Sequence, residues 1–191
     1  MRTLLQPLRF APLALLVVTS CAGGPAPAYV HAPTPVHGSA PGMRVQRLSD
    51  PQDPVRRYAV VFAAGDDILG GLTDLALQEH LGASQITAIG GVLDATLGWY
   101  DRDRKLYRAN LIDAQAEVTS LVGDIALREG LPVVHLHMNV ALADGTVRGG
   151  HLLGAHVWPT LEVMVVDSPH ALHKEHDDAT GIDLIVPDGG H

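Results

Sequence analysis

The sequence predicts an α+β domain, a mainly antiparallel sheet with one principal packed helix. Three observations lead there. Only one stretch, after Asp66 and Asp67, repeats apolar residues at helical spacing. A long series of β-branched and aromatic runs follows it. Between those runs stand clusters of Asp, Gly, Ser and Pro, the residues that close turns. One helix followed by consecutive strands leaves an α+β arrangement as the way to bury both apolar faces. With 191 residues and 47% hydrophobic content, the chain can fill one core without disulfides, and its single cysteine could not form an internal bridge.

The first twenty residues read as an export address. Arg2 and Arg9 supply a positive start, and Phe10 to Val18 is an apolar run too short to span a bilayer comfortably. Val18-Thr19-Ser20-Cys21 resembles a bacterial lipobox, which predicts a signal peptide over 1–20 and lipid on Cys21. An ordinary cleaved signal with an incidental cysteine is the plainer alternative. Several acyl chains anchor firmly where one binds marginally. The expected location is therefore the bacterial cell envelope, membrane-attached through lipid; in a Gram-negative source, without an aspartate after Cys21, it is the outer membrane facing the periplasm. Residues 21–42, rich in Pro, Ala and Gly, are expected to be a flexible tether, with His31 and His37 solvated. The domain is expected over 43–187, and 188–191 as a tail.

Within the domain, Arg57 to Phe62 reads as a strand. Asp66 or Asp67 is placed to cap a helix running to about Leu81, with Ile68, Leu72, Leu75 and Ala76 on one face and Gly82 as its stop. Strands are expected at 85–89, 92–100, 105–110, 117–122, 133–142, 146–153, 160–166 and 182–186. Turns are expected at Asp101–Asp103, Arg128-Glu129-Gly130, Asp144-Gly145 and Asp167-Ser168-Pro169. Trp99 and Tyr100 are expected in the core and sheet, and Trp158 at a subunit contact.

The candidate chemistry lies in His135-Leu136-His137 and Gly149-Gly150-His151. Residues two apart on a strand share a face, so His135 and His137 project together. If Ala143-Asp144-Gly145 is a three-residue loop closed by Gly145 in the left-handed conformation, counting outward sets His137 opposite His151. A two-residue loop would turn His151 away unless a bulge restored the register. Gly149 and Gly150 would also allow close approach of another chain or a ligand. Three neutral imidazoles suit zinc or a similar divalent ion and leave a fourth position for water or another ligand, a site that could activate water. Alternatively the three are half-buried structural histidines satisfied by hydrogen bonds.

Several segments follow one another in the order of the PPC (DUF296) domain family, which the chain resembles from about Arg56 to Val186. They include Gly90-Gly91-Val92, Leu97 to Asp101, Glu117 to Ala126, Gly130 to His137, Gly149 to Leu152 and Thr160 to Val163. The resemblance implies a PPC-like antiparallel sheet with a packed helix, a homotrimer, and a metal ion on His135, His137 and His151. It also matches Glu117 and Glu162 to acidic positions, which makes them candidates for partners of the histidines or a general base, with a surface or hairpin-pair role as the equal alternative for each. Plant relatives carry an Arg-Gly-Arg-Pro DNA-reading core, which is absent from this sequence, and their Gly-Arg-Phe-Glu-Ile-Leu segment is replaced by Ala114 to Thr119.

A net charge of −8 repels phosphate backbones, and 4% aromatics offer few stacking platforms, so nucleic acid is an unexpected partner. Without Arg2 and Arg9 the balance is 11 basic against 21 acidic residues, or −10. His156 is read as structural. His170, His173 and His176 have helical spacing and are read as a polar surface segment, with a weak metal patch as the alternative. The expectation is a trimeric, lipid-anchored, zinc-binding module whose small-molecule ligand is unknown. The rivals are a metal-dependent hydrolase or lyase and, by family analogy, a DNA-binding regulator.

Overall fold

A computed structural model describes residues 28–187; the expected signal peptide, Cys21 and residues 188–191 lie outside the described residues. The elements are β1 (Tyr29–Val30), β2 (Arg44–Arg47), β3 (Arg56–Ala63), α1 (Ile68–Gln78), β4 (Ala83–Asp101), β5 (Leu106–Ile112), β6 (Ala116–Arg128), β7 (Leu131–Ala141), β8 (Val147–Asp167), β9 (His173–Asp177) and β10 (Ile182–Val186). Strands dominate and nearly all pairings are antiparallel, with a single parallel contact between Leu127 and His173. Among the described residues no helix is long and apolar enough to cross a membrane.

The helix starts where expected. Asp67 caps α1, its carboxylate accepting from the Gly70 amide at 2.5 Å. The neighbouring Asp66 is buried and accepts from the amides of Ala63 and Gly42. Ile68, Leu72, Leu75 and Ala76 form the buried face. The stop comes earlier than Gly82. His80 adopts φ of 50°, and the Leu81 amide donates back to the Ala76 carbonyl at 2.9 Å, closing the last turn.

Two long strands organise the sheet. The runs expected at 85–89 and 92–100 are one strand, β4, whose pairing shifts register around Gly90 and again after Thr96. Those irregularities let one edge of β4 serve β6 first and β5 later, while its other edge follows β8. Likewise the runs at 146–153 and 160–166 join as β8. The pairings β4–β6, β6–β7, β7–β8 and β8–β4 form a closed circuit. Alternate residues of these strands point inward, and Leu97, Leu121, Ile125, Leu136 and Met138 are fully buried in the same core as Tyr58, Phe62 and Leu72.

Three expectations need correction. Residues 28–42 do not form a free tether but lie along the domain. Val30 pairs with Tyr107, His37 Nδ1 lies 2.6 Å from Asp74, and Ser39 accepts the Asp67 amide through its carbonyl. Trp99 is 61% exposed, opposite exposed Arg108 of β5, while Gly98 and Asp101 on either side of it are buried. The segment after Pro169 forms strand β9 in a hairpin with β10, where a spacing of three sends His173 and His176 to opposite faces and no metal patch results.

Candidate metal centre

The β7–β8 hairpin sets the site. Gly145 adopts φ of 81°, its amide donates to the Leu142 carbonyl, and the Leu142 amide donates to Thr146, each at 2.9 Å. This is the three-residue loop, and it sets His137 directly opposite His151. His135 projects from the same face of β7. The ring centroids of the three imidazoles are 5.1–5.4 Å apart, and one nitrogen from each lies within 4.8 Å of the others. They form the one such group among the described residues.

His151 is the most enclosed member. Its β8 backbone runs between His137 on β7 and Gly98 on β4. A Cβ on Gly98 would stand 2.8 Å from the Tyr107 ring, so the missing side chain leaves room for Tyr107 to stack on His151 at 4.5 Å. Gly150 is closely approached by β4 of the same chain: a Cβ there would lie 2.6 Å from the Gly98 carbonyl oxygen. Burial, reinforced by His135 and His137, pushes the His151 pKa down to about 4, and burial followed by His135 lowers that of His137. His151 is therefore neutral at physiological pH, as a metal ligand must be. Its Nδ1 is buried with no hydrogen-bond partner. Such an orphaned atom costs energy unless something else satisfies it, and an ion at the centre of three imidazoles fits that need.

His135 has a protein partner. Its Nδ1 lies 3.2 Å from Asp124 Oδ2, and Lys174 Nζ of β9 sits 2.6 Å from the other Asp124 oxygen. The lysine makes this contact by charge, at an angle outside regular hydrogen-bond geometry, and its side chain is only 4% exposed. Burial alone would raise the Asp124 pKa, but the His135 hydrogen bond and the Lys174 charge outweigh it and hold the carboxyl below its usual range. A carboxylate accepting from Nδ1–H leaves Nε2 of His135 as the free ligand atom.

The expected acidic partners lie elsewhere. Glu162 is exposed and stands eleven positions past His151 along β8, opposite Val61 and Ile89. Glu117 is exposed and faces Ala141, four positions beyond His137 on β7. Asp124 fills that role instead, and a signal for it was present. Glu129 and Gly130 both have positive φ and close a two-residue turn. Counting back from Arg128 opposite Leu131 places Asp124 opposite His135. Lys174 had no local signal, since β9 reaches β6 through one parallel pair. His156 binds Asp94 at 3.0 Å, a structural contact as expected.

Fold and site together define an α+β domain whose closed sheet carries a three-histidine centre backed by an Asp–Lys pair. The chain belongs to the Plants and Prokaryotes Conserved (PCC) domain family, whose model matches residues 49–169. It is 33% identical over 152 residues to the bifunctional protein GlmU of a Synechococcus strain, covering 74% of this chain but 23% of that protein. The chain thus spans about a quarter of the length of the curated relatives it matches. Among solved structures, a metal-containing protein from Archaeoglobus fulgidus is 30% identical with a TM-score of 0.64, over 69% of this chain and 92% of that one. A candidate DNA-binding protein from Ralstonia eutropha is 30% identical with a TM-score of 0.66, over 74% and 95% respectively.

Proposed function

We propose that this protein is a metal-binding module of the cell envelope, holding one divalent ion, zinc or similar, on His135, His137 and His151. The observation that carries the reading is the convergence of three imidazoles, one of them the neutral His151, whose buried Nδ1 has no hydrogen-bond partner. The metal content of the Archaeoglobus relative supports it. When bound, the ion would supply Lewis acidity at one open coordination position. The chain's own residues do the rest. Asp124 orients His135, Lys174 holds Asp124 ionised, and Tyr107 covers one face of His151.

In the same reading, lipid on Cys21 anchors the module and three copies assemble as a homotrimer. Exposed Ile89, Val122 and Met164 lie together on the outer face of β4, β6 and β8, an apolar patch suited to self-association. The net charge of −8 weighs against DNA binding. Equilibrium dialysis of the purified full chain against zinc tests the metal. Saturation at one ion per chain is expected, and no uptake by folded protein would refute the reading. For the anchor, Cys21→Ser should move the chain from the membrane to the soluble fraction; retention on the membrane would contradict it.

A further inference from the structure

We propose that the cleft lined by His135 and His151 binds a small organic carboxylate that reaches the bound ion; this rests on the metal reading above. The cleft has a volume of about 320 Å³, at the small end for ligand pockets. Its outer walls come from both sides of the family-matched stretch. His31 follows β1, and Ile182 belongs to the β9–β10 hairpin. Segments of this chain that flank residues 49–169 therefore help to wall the cleft.

Charge selects an anion. Arg128 is matched by Asp183 at 2.8 Å, and Lys174 by Asp124. Lys105 also lines the cleft, but its Nζ donates to the Asp178 backbone carbonyl at 2.6 Å, so its charge is not cancelled. A divalent ion on three neutral imidazoles would add two further positive charges beside it. Lys105 thus sets at this cleft a positive charge with no carboxylate against it among the described residues.

The walls select an organic body. Val133, Ile182 and the rings of Tyr100 and Tyr107 line the cleft. The Tyr100 hydroxyl donates to the Thr180 carbonyl, whereas the Tyr107 hydroxyl has no hydrogen bond among the described residues and is free to meet a carboxylate. Inorganic phosphate would meet the charge and leave these apolar walls unfilled.

Benzoate is a suitable probe, read through the visible spectrum of the purified full chain loaded with Co²⁺. Benzoate should change the spectrum saturably, inorganic phosphate should not, and Lys105→Gln should weaken the response about tenfold without altering cobalt stoichiometry. Cobalt bound at one per chain with a spectrum indifferent to benzoate would overturn the inference and leave the metal reading standing. An equal response to phosphate, or an unchanged response in Lys105→Gln, would also overturn it. Failure to take up cobalt would overturn both, and the stoichiometry tells the two failures apart.

Discussion

His151 concentrates the physics of the site in one side chain. It is stacked by Tyr107, flanked by two other imidazoles, kept neutral by burial, and left with an unpaired Nδ1. Replacing it with alanine removes a ligand and the ring beneath Tyr107, so zinc affinity in a competition titration should fall by at least a hundredfold. Asp124 acts one step out. Asp124→Asn should weaken zinc about ten- to a hundredfold, the usual cost of losing a ligand's carboxylate partner. Its circular dichroism should stay native, and an unchanged zinc affinity would show that Asp124 does not orient His135. The three histidines were legible because a strand period and one loop count fix their faces. Asp124 could be reached by the same counting across the Glu129-Gly130 turn. Lys174 could not, because a contact fifty residues away through one backbone pair leaves no local pattern.

At the scale of elements, the hairpin loop is the determinant that turns sequence spacing into a site. Gly145 at φ of 81° is the position where a side chain strains the turn. Gly145→Val should cost about 1–2 kcal/mol, measured by urea denaturation. A stability unchanged by Gly145→Val would show that the loop does not depend on the left-handed residue. The helix tells a similar story, since its cap and buried face follow from Asp67 and a 3.6-residue period, whereas its end does not. His80 carries a Cβ into the left-handed region, which a search for glycine passes over. The long strands β4 and β8 read as pairs of short ones, because the register shifts within them interrupt the alternation a sequence shows. Strands β1, β2 and β9 are short or polar and lack the apolar alternation that marks a strand, and β1 also pairs with β5, far along the chain.

For the whole molecule, Asp167 ties together distant parts. It is 2% exposed and accepts from Ser84, the amides of Gly82 and Ala83, and Arg56 at 2.6 Å. Burial opposes its charge, but the Ser84 and Arg56 bonds prevail and lower its pKa. The sign follows directly. A carboxyl depressed in the folded state contributes stability above its unfolded pKa of about 3.9 and loses it as pH falls through the folded value. Asp167→Asn should therefore cost about 3 kcal/mol near neutrality and flatten the acid limb of the stability profile. An acid limb as steep as wild type would assign that proton uptake elsewhere. Assembly is a property of the same scale. If the patch of Ile89, Val122 and Met164 joins copies, Val122→Lys should convert a trimer to monomer in sedimentation equilibrium, and a trimer persisting in Val122→Lys would place the contact on another face.

Elemental analysis of the purified full chain reads directly whether a metal ion sits on the three histidines. One divalent ion per chain is expected, lost when His135, His137 and His151 are together replaced by alanine, with circular dichroism unchanged. A folded wild-type chain without metal, or a triple variant that keeps its ion, would contradict the metal reading.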